Sequence, residues 1–194
     1  MTPVVPLPGT HRERLMARLE AIFGALSPLL RVLLTTDGTV TETLAAHFGE
    51  EVGVKVVTQG FHPADGEDFP ELALRPGSVV LDRCVVLTGA RSGRAFAVAV
   101  SRIVPALLPG AMQEDLLAAR EPLGKLLLAH RLETFKEIVD CGVCPLRHAP
   151  LPPGNFAAAL KLAPGAPLVW RTYRVLIGGR AAMSVSEYFP ESLA

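Results

Sequence analysis

Apolar residues recur at helical spacing early in the chain. Leu15, Leu19, Ile22, Phe23 and Leu26 fall on one face of a helix that Thr10 and Glu13 open as a capping box and Ser27-Pro28 closes. After LLRVLL, the run TTDGTVTETLAAHFGEE reads as a turn followed by a short helix. Thr39 or Thr41 caps it, Val40, Leu44 and Phe48 form its apolar side, and Gly49 ends it. The period then changes. Val52, Val54 and Val56 alternate with polar or small residues and predict a strand, whereas residues 60–77, rich in Pro, Gly and acidic side chains, predict a loop. Residues 78–88 and 95–104 are two further strands that flank GARSGR as a hairpin, and Met112 to Leu132 carries helical patterning interrupted by Pro122 and Gly124. Residues 133–140 are assigned to a strand and CGVCPLRHAPLPPGN to irregular chain. LVWRTYRVLIGGRAAMSVSEYFP gives two strands joined by a two-residue turn at Gly178-Gly179. Strands linked by hairpins, with helices gathered at the start and middle, predict an α+β fold: a mainly antiparallel sheet with helices packed on it.

Charge narrows the possible partners. The 194 residues hold 19 Lys+Arg against 19 Asp+Glu, a formal net charge of zero, which offers no footprint for a phosphate backbone or an anionic bilayer. Neither nucleic acid nor membrane is expected as a partner. Apolar runs such as Leu126 to Ala129 fall short of the roughly 20 residues that a membrane span needs, and MTPVVPLPGTHRER lacks a leader pattern, so a cytoplasmic protein is expected. A chain of this length can bury its own core as one domain over residues 1–194, with residues 1–9 as a loose tail. The three cysteines, Cys84, Cys141 and Cys144, are an odd count that fits free thiols. Cys141-Gly142-Val143-Cys144 with His148 invites a zinc or redox reading, but no second ligand pair follows, and the expectation is two ordinary thiols and no metal.

Two charges break the apolar pattern. With period two, Val79, Leu81, Arg83, Val85 and Leu87 share a strand face, which places a guanidinium inside an apolar stripe. Burying it unpaired would be costly. Either the stripe faces outward, or Arg83 bonds a nearby carboxylate, or it is an anion receptor whose fork can hold a carboxylate bidentately. In the last strand the same arithmetic groups Ala181, Met183, Val185, Glu187 and Phe189. A two-residue turn at 178–179 would face Ile177 with Arg180 and set Glu187 opposite Trp170, with Thr172 and Arg174 on the same face. Glu187 is then either half of an ion pair with Arg174 or Arg83, or a carboxyl beside an aromatic wall that serves as a general acid or base. Two such violations in one chain suggest a site.

At these residues the chain resembles the chorismate pyruvate-lyase family, in particular the bacterial and archaeal branch related to the mycobacterial 4-hydroxybenzoate synthase. The resemblance spans about Leu30 to Phe189 and rests on TTDGTVT with its following helix, LDRCVVL, AVAVSRIVP, PLG at 122–124, LETFKE at 132–137, and YRVLIGG with SEYFP. It implies a fold also found in the UTRA-like effector domains of transcription regulators, a closed cavity under helical flaps, and no cofactor. The implied activity is conversion of chorismate to 4-hydroxybenzoate and pyruvate. By the same resemblance Arg83 grips the ring carboxylate and Glu187 serves the hydroxyl side, the two being the catalytic pair, while Leu123 and Val40 supply further substrate contacts. The enterobacterial branch has Met where Val40 stands. The alternative reading is a small-molecule sensor of the same fold, for aromatic or cyclic carboxylates.

Overall fold

The computed structural model describes residues 11–64, 70–152 and 154–193. Its six strands are β1 (Val52–Pro63), β2 (Val79–Gly89), β3 (Ala95–Ile103), β4 (Thr134–Pro145), β5 (Pro167–Ile177) and β6 (Arg180–Pro190). They form one antiparallel sheet in the order β1-β2-β3-β6-β5-β4. Two three-stranded meanders therefore meet along β3 and β6, at the centre of the sheet. The expected α+β class with an antiparallel sheet is what forms.

Helices cover one face at both ends. α1 (His11–Phe23), α2 (Pro28–Thr35) and α3 (Val40–Phe48) precede the sheet. Ser27 does more than stop α1: its hydroxyl accepts from the Leu30 amide and Pro28 takes the first helical position, so LLRVLL becomes α2. Thr39 caps α3 and Gly49 closes it with φ 64, as the sequence predicts. Leu30, Leu33, Leu34 and Leu44 pack on Val85, Leu87, Phe96 and Phe189. At the other end, α4 (Gly110–Ala118) and α5 (Leu123–Ala129) set Met112, Leu116 and Leu127 against Leu81, Ile103 and Val185. The opposite face is covered partly by α6 (Phe156–Leu160), whose ends pack near Cys84, Val86 and Tyr188. The Thr10 cap and the tail 1–9 lie outside the described residues.

Three expectations change. The loop predicted from residue 60 starts later, because β1 continues through Gly60 to Pro63 in register with β2, and a 3-10 turn, Pro70–Leu72, interrupts the remainder. The CGVC segment is not irregular: it belongs to β4 and pairs with Trp170, Val169 and Leu168 of β5. Gly142 can sit there because its missing side chain leaves room for the Trp170 ring, which a Cβ would approach to 3.2 Å. The third change concerns register. Ile177 does face Arg180 across Gly178 and Gly179, whose φ values are 55 and 76. A bulge then inserts one extra residue in β6, between the pairs Leu176 with Ala181 and Val175 with Met183. Beyond it Glu187 pairs with Arg171, not Trp170. Arg174 and Thr172 fall on the opposite face, where Arg174 binds Glu137 and Thr172 bonds Ser186.

Candidate active site

Between the two helix groups the sheet face carries a small cavity. Arg83 reaches it from β2, Glu187 from β6, and the first residues of α3 and α5, Val40 and Leu123, close it from above. The four residues singled out in the sequence thus line one space. The helical segments meet over it: a Cβ on Gly124 would come within 3.1 Å of the Thr39 side chain, so glycine permits the contact. Free space inside is about 40 Å³, little more than water needs, so a ring compound is held here only when the covering side chains draw apart.

Arg83 is 2% exposed. Its Nε donates to Gln59 Oε1 at 3.1 Å and Nη2 to the Glu121 carbonyl at 3.0 Å. Among the described residues no carboxylate forms an ion pair with it, so the outward-facing and structural-pair readings both fail. Burial pulls its pKa below the ordinary guanidinium value, but an arginine retains its proton over the physiological range. The result is a buried cation held by neutral acceptors.

Glu187 has a different neighbourhood. It is 5% exposed. Arg171 Nε donates to Oε2 at 2.8 Å, and the Tyr173 hydroxyl donates to Oε1 at 3.1 Å. Arg171, 1% exposed, also donates from Nη1 to the Thr36 carbonyl at 2.7 Å, and its guanidinium lies 4.9 Å from the Tyr173 ring centroid. Burial, seconded by the Glu187 charge, raises the Tyr173 pKa well above its usual value, which keeps the phenol a donor. Glu187 does stand in an ion pair, but neither of the partners the sequence offered, Arg174 or Arg83, supplies it; Arg171 does. The aromatic wall is likewise Tyr173; Trp170 belongs to the other face.

Three site residues were missing from the sequence reading: Arg171, Tyr173 and Lys136. Arg171 had a readable signal. Val169, Arg171, Tyr173 and Val175 are one face of β5 and are all buried, so Arg171 interrupts an apolar stripe just as Arg83 does. An unbulged register sets the other phase of β5, Trp170, Thr172 and Arg174, opposite Glu187 instead. Lys136 had no such signal. It stands on edge strand β4, where Nζ donates to the Gly38 carbonyl at 2.8 Å and lies 5.9 Å from the Tyr173 ring centroid. Burial lowers its pKa, and the charge of Glu187 opposes that shift.

The cysteines stand apart from this chemistry. Residues three apart on a strand point to opposite faces, so Cys141 and Cys144 cannot grip one ion together. Cys141 joins the core beneath the first helices. Burial pushes the Cys84 and Cys141 thiols up to about 11, the reverse of what a nucleophilic thiolate requires.

Comparison with known proteins adds a lineage. A family model described as chorismate pyruvate-lyase, Rv2949c-like, matches residues 34–194. A chorismate pyruvate-lyase of Mycobacterium tuberculosis (strain CDC 1551 / Oshkosh) is 33% identical over 166 residues, covering 84% of this chain and 80% of that protein. A chorismate pyruvate-lyase of Mycobacterium leprae (strain TN) is 32% identical over 171 residues, with 84% and 75% covered. Among solved structures, the effector domain of PhnF from Mycobacterium smegmatis superimposes with a TM-score of 0.59 at 18% identity, covering 79% of this chain and 88% of that one. The last likeness concerns fold alone, and it matches the UTRA-like architecture expected.

Proposed function

The chain belongs to the Rv2949c-like chorismate pyruvate-lyase family, and on that premise we propose that it converts chorismate to 4-hydroxybenzoate and pyruvate. The observation that carries this reading is Arg83: a buried guanidinium with neutral partners, facing a cavity whose far wall holds an oriented carboxylate. Such a cation is a receptor for an anion that arrives from outside. Arg83 and Glu187 stand two strand spacings and two residues of register apart, since Arg83 pairs with Ser101 and Glu187 with Ala99 of β3, a separation of about 12 Å at the usual strand dimensions. With the reach of the arginine side chain, a six-membered ring bearing a carboxylate at one end and a hydroxyl at the other spans the remainder.

The reaction balances within the substrate. The bond from C3 to the enolpyruvyl oxygen breaks, and its electron pair leaves on that oxygen. The hydrogen on C4 departs, the enolpyruvyl methylene gains one, and the ring becomes aromatic. No outside oxidant or reductant enters, so the protein supplies position and charge. Arg83 holds the ring carboxylate. The backbone N–H groups of Val40 and Leu123, at the first turns of their helices and without acceptors inside them, add donors at the same closed face. Glu187 accepts from the ring hydroxyl with lone pairs that Arg171 and Tyr173 leave over. Closing the cavity excludes water. The buried, protonated thiols suit a reducing compartment such as the cytoplasm.

The test is pyruvate release. Purified protein given chorismate is expected to form pyruvate and 4-hydroxybenzoate in equal amounts, and Arg83→Ala to abolish turnover while weakening 4-hydroxybenzoate binding by about 2 to 5 kcal/mol. Arg83→Lys restores only part of this, since a point charge lacks the fork. The second reading, a non-catalytic sensor, takes its support from the resemblance to an effector domain. It is preferred if 4-hydroxybenzoate raises the melting temperature but chorismate yields no pyruvate above the uncatalysed rate.

A further inference from the structure

Chorismate carries two carboxylates, and Arg83 answers one of them. Two cations line the cavity, Arg83 and Lys136, and a third, Arg171, stands behind Glu187. Arg171 is neutralised by Glu187 at 2.8 Å. Arg83 is assigned to the ring carboxylate. Lys136 remains. Its ammonium donates to a neutral carbonyl, that of Gly38, and among the described residues no carboxylate comes within ion-pairing distance of it. Asp37, Glu42 and Glu187 act on it only through space and favour its charged form, against burial and the Arg171 charge, which leave its pKa lowered.

Position singles it out further. Lys136 and Tyr173 form the partition between the inner cavity and a larger outer pocket of about 600 Å³ bordered by Thr35, Thr36, Asp37 and Phe135. The inner space, about 40 Å³, cannot take the ring and its ether side chain together. A substituent leaving the ring near Glu187 has its nearest additional room on the far side of Lys136. The lysine is suited to such a place. Its stem is flexible and its ammonium is a compact charge, so it can turn from the Gly38 carbonyl to an arriving anion.

We infer that Lys136 is the receptor for the substrate's second carboxylate, the one on the enolpyruvyl group. The inference rests on the lyase reading and deepens it. As the C3–O bond breaks, the leaving enolate keeps this carboxylate, and Lys136, which retains its own proton throughout, balances the charge on the departing half. The outer pocket then receives pyruvate while 4-hydroxybenzoate stays with Arg83 and Glu187. Preference for a dianion over a monoanion is thereby a property of one side chain.

Two unreactive probes separate this role from a structural one. The diacid 3-(carboxymethoxy)-4-hydroxybenzoate carries both charges, and 4-hydroxybenzoate only the first. Calorimetry is expected to show the wild type binding the diacid at least about tenfold more tightly, and Lys136→Met losing that preference while its affinity for 4-hydroxybenzoate changes by less than about threefold. Lys136→Arg is expected to keep the preference in part, which guards against a methionine variant that merely packs poorly. In turnover, Lys136→Met raises KM for chorismate by about the same factor as it loses in diacid affinity. Equal weakening of both probes would reduce Lys136 to a prop for the turn at Gly38, and an unchanged preference would move the second carboxylate elsewhere; either result overturns the inference. A wild type that prefers the diacid through Lys136 yet releases no pyruvate supports the receptor role and removes the lyase reading.

Discussion

At the scale of single residues, the decisive contrast is between two buried arginines. Among the described residues Arg171 is matched by a carboxylate and Arg83 is not. Removing the charge of Arg171 strands Glu187 without its cation, so Arg171→Met is expected to lower unfolding free energy by about 3 to 5 kcal/mol, measurable by urea denaturation. Adding Glu187→Gln to that variant should restore part of the loss, because the pair is coupled. Glu187→Gln alone is expected to cut pyruvate release about 10²-fold while 4-hydroxybenzoate still binds. If turnover is unchanged, Glu187 only supports the wall. The thiols give a pH-dependent check. Cys84 and Cys141 ionise at about 11 in the fold and near 9.0 when ordinary, so their contribution to stability is intact below pH 9 and lost as pH rises towards 11. A thiol reagent at pH 8 should accordingly leave both unlabelled until denaturant is added.

At the scale of elements, the β5–β6 hairpin shows what pattern can and cannot specify. The turn itself was legible: two glycines between β-rich runs require positive φ, and both have it. Substituting Gly178 or Gly179 with alanine is expected to cost roughly 1 to 2 kcal/mol, read as a fall in the urea midpoint. The bulge beyond the turn was not legible, since an extra residue in β6 leaves no mark on the period when Ala181, Ala182 and Met183 are all apolar. It moves Glu187 from Trp170 to Arg171, and with it the identity of the ion pair. Arg83 and Glu187 could be found because each interrupts an apolar face that burial elsewhere makes continuous. Val40 and Leu123 came only through the family resemblance, for their place in the site depends on backbone at helix starts. β4 was underestimated for a related reason: Gly142 and the two cysteines look like loop residues until the Trp170 ring, distant in sequence, fills the space above the glycine.

At the scale of the whole molecule, two meanders meeting along β3 and β6 leave one sheet face to be roofed by helices from both ends. The roof closes where Thr39 meets Gly124. A larger side chain at 124 is expected to hold the two segments apart, so Gly124→Val should reduce kcat/KM for chorismate about tenfold or more, by letting in water and loosening the pose, with a much smaller change in melting temperature. The two cations that line the cavity and Arg171 behind it also reach upward into this roof, and each does so through a main-chain oxygen: Arg83 to Glu121, Arg171 to Thr36, Lys136 to Gly38. A carbonyl has no side-chain identity. Saturation mutagenesis at 36 and 121 should therefore yield many functional variants, whereas 83 and 171 should tolerate almost none. Descendants of this chain are free to rewrite the text of the roof while the clasps beneath it stay fixed.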